Sequence, residues 1–304
     1  MRRRNDQKPN VLVLRAAGTN CNEETAYAFG RCGARVSQAH IKAFTDGKVS
    51  LKDFHILALP GGFSYGDDIA SGRILANELR LKLGADLRRF MNAGKLIIGI
   101  CNGFQVLVKA GILPGLNLSF PNVPPQRDPA KAVTSIGNPE DGMTGPPIKT
   151  FGGDSMIQEA TLFHNDSGKF EARWTHLSVN CDKCVWTKAL PARIYLPVAH
   201  GEGKFIAKSH KILDQLRANG QIVFCYCAPD GSKPAYPDNP NGSAGDIAGI
   251  CDPTGRVLGL MPHPERHFAF EQHPFWTRLS RKSEFGDGAK IFENGVRYVK
   301  ENLV

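Results

Sequence analysis

The residue best suited to covalent chemistry is a thiol set between two glycines at the end of an apolar run, in LIIGICNGFQV (96–106). The run KLIIGI (95–100) has the composition of a buried strand and NGFQVLVKAGIL (102–113) that of a helix, which puts Cys101 on a sharp strand-to-helix turn. Such a turn pushes its side chain out above the sheet while the backbone crowds itself, and Gly99 and Gly103 supply the room. It also sets the thiol at a helix N-terminus, where unpaired N–H groups and the helix dipole favour the nucleophilic thiolate. A buried structural cysteine is the other reading of the same pattern.

A cysteine nucleophile needs a base, and the base an orienting group. Among the nine histidines, His263 in MPHPER (261–266) is the best candidate. Pro264 disfavours a helical conformation at His263, so the segment is expected to be extended, with His263 and Glu265 projecting to one side. The carboxylate then holds one ring nitrogen while the other faces the thiol; a surface histidine would leave the same short motif. Acyl transfer further requires donors aimed at an oxyanion. The N–H of Asn102 is one candidate, and Gly61 and Gly62 in LPGGFSYGDD (59–68) are the other, unless that loop is only a tight turn.

These groups need a scaffold. NVLVLRAA (10–17), ARVSQAHI (34–41), FHILALPGG (54–62) and KLIIGI read as strands, separated by helical stretches at 23–31 and 74–94. Continuous apolar strands alternating with helices predict an α/β fold with a mostly parallel sheet covered on both faces, whose ligands collect beyond the carboxyl ends of the strands. Further on, IAGICDPTGRVLGLM (247–261) reads as two strands about a turn at Asp252–Gly255. Residues 8–304 are expected to form one domain, with a basic tail at 1–7 and a Pro/Gly-rich insertion at about 120–155 that lacks the apolar material for a core of its own.

At 304 residues and 41% hydrophobic content the chain can bury a rigid site without staples. No apolar run approaches the roughly 18 residues of a membrane helix, and the N-terminus resembles neither a signal peptide nor an anchor. Eight scattered cysteines fit reduced thiols in the cytoplasm. The net charge of +9 is spread along the chain and carries no aromatic-basic motif, so nucleic acid is not expected as a partner.

Three pieces in this order and spacing, PGGFSYGDD, GICNGFQ and GLMPHPERH, resemble the class I glutamine amidotransferases, with a flavodoxin-like fold. The finer resemblance is to the glutaminase subunits of phosphoribosylformylglycinamidine synthases of purine biosynthesis. It extends through VLRAAGTNCNEETAYAF, FHNDSGKFEARWTHL (163–177), LPVAHGEGKF (196–205) and NPNGS, covering nearly the whole chain outside 120–155. The resemblance implies that Cys101 attacks the side-chain amide of glutamine, His263 shuttles protons and Glu265 orients it, with Gly61, Gly62, Asn102 and Gln105 at the oxyanion or substrate. It implies no cofactor in this chain. ATP and Mg²⁺ would belong to a large synthetase subunit that receives the ammonia, with a small third subunit bridging the two.

Cys181 and Cys184 have the spacing of a zinc knuckle, and Cys225 and Cys227 lie downstream, but a structural site normally pairs two matched knuckles, so no metal is expected. His267 and His273 are read as surface or interface residues. A cysteine hydrolase or peptidase on the same architecture, or a regulatory module without turnover, are the alternatives.

Overall fold

The structure, a computed structural model, describes residues 7–67, 70–116, 156–280 and 283–304. The Pro/Gly-rich stretch expected at 120–155 and nearly all of the basic tail lie outside these.

The first half follows the strand and helix alternation that its periodicity predicts. β1 (Asn10–Arg15) leads to α1 (Asn22–Arg31), β2 (Arg35–His40), α2 (Ile41–Thr45) and β3 (Ile56–Leu59). The long α3 (Arg73–Asn92), β4 (Leu96–Ile100) and α4 (Asn102–Lys109) follow. Every residue of β3 and β4 is buried, as expected of strands covered on both faces. The second half adds β5 (Ala160–Phe163), β6 (Glu171–Val179), β7 (Arg193–His200), β8 (Lys204–Ala207), α5 (His210–Ala218), β9 (Ile222–Cys227), β10 (Ile247–Cys251), β11 (Val257–Leu260) and α6 (Ala289–Asn302).

The main sheet has nine strands in the order β2-β1-β3-β4-β11-β10-β9-β6-β7, and β5 and β8 pair separately. Seven strands run one way and only β6 and β10 run against them, so the sheet is mostly parallel in direction. Its last four strands nevertheless form a wing of antiparallel neighbours. From β1 the chain steps outward to β2, then crosses to β3 on the other side and on to β4. Because crossovers are right-handed, this reversal puts α1 and α3 on opposite faces and opens a crevice beyond the carboxyl ends of β1 and β3.

α4 is apolar enough to be buried all round, from Asn102 to Val108. Phe104 stacks on Phe205 of β8 with ring centroids 6.5 Å apart. α1 and α6 pack together through Phe29 and Phe292, whose rings meet edge to face at 5.0 Å. Among the described residues no helix is long and apolar enough to cross a membrane.

Candidate active site

Cys101 caps the N-terminus of α4 with φ 51° and ψ −105°, a left-handed conformation that an L-residue adopts at a cost of about 1–3 kcal/mol. The glycines on either side explain how it is held. A Cβ on Gly99 would lie 2.6 Å from the Gly103 carbonyl oxygen, and one on Gly103 would lie 1.9 Å from that of Leu59. The Cys101 N–H donates to the Leu260 carbonyl at 2.8 Å, tying the elbow to β11. Gly103→Ala must force α4 away from β3, so it is expected to destabilise the chain by roughly 1–3 kcal/mol. Urea denaturation reads this directly, and an unshifted midpoint would show that the elbow tolerates a methyl group.

The thiol is not displayed to solvent as the turn alone suggests: Cys101 is 5% exposed. β7, the last strand of the wing, sends Pro197–His200 back across the carboxyl end of the sheet. The Ala199 carbonyl accepts from Sγ at 3.6 Å, and the Pro197 carbonyl accepts from the His263 N–H at 2.8 Å. The cover is polar backbone over the sulfur.

His263 and Glu265 follow β11, the neighbour of β4. The expected extended geometry holds at His263 (φ −104°, ψ 91°), but residues 264–267 form one 3-10 turn, with Pro264 at its start. The pair meets across that turn: His263 Nδ1 and Glu265 Oε1 are 2.6 Å apart, both side chains almost fully buried. Among the described residues, His263 Nε2 and Glu265 Oε2 have no hydrogen-bond partner. Burial opposes a charged ring, yet the Glu265 carboxylate, followed by the Cys101 sulfur, raises the imidazole well above its ordinary pKa.

The loops after β1 and β3 pack on each other at the crevice. Thr19 and Gly62 form a bridge through the N–H groups of Phe63 and Asn20. Gly61 lets the ring approach, since a Cβ there would lie 2.7 Å from His263 Cε1. Beyond it, Tyr65, Gly66 and Asp67 are all left-handed, a strained loop that Asp67 pins through the Ser71 hydroxyl and the Gly72 N–H. Asn102 joins this loop to α4, accepting from the Ser64 N–H at 3.3 Å and donating to Asp67 and to Gln105 Oε1. Gln105 is 3% exposed and donates to the Glu202 carbonyl at 2.6 Å. Both side-chain amides are thus engaged by the protein, and what Asn102 leaves open is the first N–H of the helix, which has no intrahelical acceptor.

Several contributors lie outside the residues that sequence reasoning singled out. His200 is buried between Asn165 and Asn241, and the orientation of each amide is fixed by further bonds. Asn165 Oδ1 accepts from His200 Nδ1 and the Gly203 N–H; Asn241 Nδ2 faces His200 Nε2 at 3.5 Å while its Oδ1 accepts from Ser243. Nδ1 therefore carries the proton and the ring is neutral. Burial, then the charge on His263, lowers its pKa to about 3. The signal was present in the sequence, because FHNDSG, AHGEG and NPNGS supply these residues. Unfolding lets His200 ionise near pH 6.5, so stability is full above that value and falls as the pH drops toward 3. This residue accounts for roughly 3 kcal/mol lost between pH 6.5 and 4. Urea titrations at several pH values should show this slope in the native chain and a flatter one in His200→Gln; equal slopes would remove His200 from the account.

His267, read as a surface or interface residue, is 3% exposed and bonds the Tyr195 carbonyl at 2.7 Å inside an aromatic cluster with Trp174 and His273. All eight cysteines are free. Cys181 and Cys184 neighbour Cys251, whereas Cys225 faces the Gly245 carbonyl. Cys21, His263 and Glu265 are the group whose donor atoms all lie within 4.8 Å of one another among the described residues. Thiol, imidazole and carboxylate are donors that zinc accepts, but the last two are already bonded to each other.

A cysteine on a strained elbow, with a histidine and a carboxylate from the adjacent strand end, is the set of groups that thiol-dependent acyl transfer requires, here on a flavodoxin-like sheet. Residues 8–129 and 145–299 match the CobB/CobQ-like glutamine amidotransferase domain, and the chain belongs to that family. It is 45% identical over 296 residues to the phosphoribosylformylglycinamidine synthase subunit PurQ of Dehalococcoides mccartyi, covering 97% of this chain and 99% of the relative. The PurQ subunit of Archaeoglobus fulgidus is 38% identical over 301 residues, covering 96% and 97%. The solved structure of PurLQS from Thermotoga maritima superposes with a TM-score of 0.65 at 26% identity, covering 96% of this chain and 100% of that one.

Proposed function

We propose that this chain is the glutaminase subunit of a phosphoribosylformylglycinamidine synthase. The observation that carries the reading is the buried Cys101, His263 and Glu265 constellation on a chain matched end to end by PurQ subunits. The Cys101 sulfur attacks the side-chain amide carbon of glutamine after its proton passes to His263. The negative oxygen that forms is met by the N–H of Asn102 and by the Gly61–Gly62 backbone. The imidazolium, held by Glu265, gives its proton to the departing nitrogen, and ammonia leaves a γ-glutamyl thioester on Cys101. Water, activated by the now neutral imidazole, cleaves the thioester to glutamate.

The chain holds no cofactor of its own in this scheme. Ammonia passes to a large synthetase subunit, which uses ATP and Mg²⁺ to convert formylglycinamide ribonucleotide into its amidine, and a small third subunit bridges the two. The assembly works in the cytoplasm. A glutamine-like electrophile should label Cys101 in the complex, and free glutamine should protect it; labelling indifferent to glutamine would favour a cysteine hydrolase with another substrate.

A further inference from the structure

Next to the catalytic pair stands a second thiol that the scheme above leaves unused. Cys21 is 1% exposed and precedes α1, its backbone fixed on both sides: its N–H donates to the Gly61 carbonyl at 3.3 Å, and its own carbonyl accepts from the Thr25 hydroxyl at 2.7 Å. Its sulfur lies within 4.8 Å of donor atoms of both His263 and Glu265. The Arg266 Nη2 group donates to that sulfur at 3.1 Å, and Arg266 Nε lies 3.9 Å from Glu24.

The arrangement is unusual because of what Arg266 does not bond. A guanidinium beside a buried carboxylate ordinarily forms a paired, charge-assisted hydrogen bond with it. Arg266 adjoins Glu265 in the chain and feels its charge, yet among the described residues Glu265 Oε2 has no hydrogen-bond partner. Had the guanidinium turned onto Oε2, it would have neutralised the carboxylate on which His263 depends.

We propose that Cys21 is a positioning residue: its sulfur holds the Arg266 guanidinium off the free oxygen of Glu265, so that the carboxylate's charge is kept for His263. This rests on the glutaminase reading. The groups that face His263 are Glu265 and Arg266 from its own segment, Cys101 from the β4–α4 turn, Cys21 from the start of α1 with Glu24 behind Arg266, and His200 from β7, which is neutral. Of the charged groups, Arg266 is the one that removal of Cys21 deprives of a hydrogen bond, leaving its Nε beside Glu24 and its Nη2 able to turn toward Glu265.

The test is the pH profile of glutamine hydrolysis by the complex of the full chain with its synthetase partner. The alkaline limb reports loss of the imidazolium proton. In Cys21→Ala the released guanidinium screens Glu265, so the limb should move down by about one pH unit and kcat should fall roughly tenfold, with KM little changed. Cys21→Ser, whose hydroxyl accepts the same hydrogen bond, should shift the limb less. Adding Arg266→Gln to Cys21→Ala should move the limb back, because the competing cation is gone. An unshifted limb in Cys21→Ala, or a double variant that stays with Cys21→Ala, overturns the proposal. Failure of the glutaminase reading looks different, since the native complex would then release no glutamate through Cys101.

Discussion

Cys101→Ala is expected to lower glutamine hydrolysis at least about 10⁴-fold while leaving the fold intact. The magnitude follows from the mechanism: without sulfur no thioester forms, and the remaining donors have only a slow attack by water to assist. Alanine shares the left-handed backbone of Cys101, so it relieves none of the strain at φ 51°. Cys101→Gly does relieve it and should be equally inactive but about 1 kcal/mol more stable than Cys101→Ala at that elbow. Thermal or urea unfolding of the two variants beside glutamate release separates the chemistry from the scaffold. Residual activity near the native level in either would contradict a nucleophilic role.

Glu265→Gln should cost roughly 10²- to 10⁴-fold in kcat. A Gln oxygen can still accept from His263 Nδ1, so the variant removes the charge and keeps the orientation. Without that charge the imidazolium loses the influence that outweighs its burial, and the alkaline limb of the activity profile moves to lower pH. The stability consequence has a definite sign. Because the native pKa of His263 lies above its unfolded value, the pair stabilises fully below about pH 6.5. That contribution disappears as the pH rises through the raised native value. Glu265→Gln should flatten this dependence, and a profile superimposable on the native one would show that the carboxylate acts through geometry alone.

What could be read from the sequence was whatever the chain encodes locally. The elbow is one such feature, since strand, glycine, thiol, glycine and helix all fall within about ten residues and their steric demands are visible in the residue types. β1, β3 and β4 were legible for the same reason, as each strand is a continuous apolar run bounded by glycines or polar turns. His263 and Glu265 are two residues apart, so their pairing could be anticipated even though the 3-10 turn joining them could not.

The remainder depends on contacts between distant parts of the chain. Nothing in LPVAHGEG says that this strand returns over a thiol 98 positions earlier to cover it. The antiparallel wing pairs β6 with β9 across the intervening β7, β8 and α5, and β9 with β10 across an irregular stretch, and nothing in the composition of these strands names the partner. His267 looks like its polar neighbours until the aromatic cluster of Trp174 and Tyr195 closes around it. Cys21 had a motif, GTNC, but its proximity to His263 arises only when the loops after β1 and β3 meet.

The central claim is that the Cys101 sulfur becomes covalently acylated by glutamine. Rapid acid quenching of the complex during turnover, followed by mass spectrometry of the peptide containing residue 101, tests it directly. The expected result is a γ-glutamyl increment on Cys101 that appears with glutamine and vanishes when glutamine is exhausted. Steady glutamate release with Cys101 unmodified at every time point, under conditions in which an authentic thioester standard survives the quench, would contradict it.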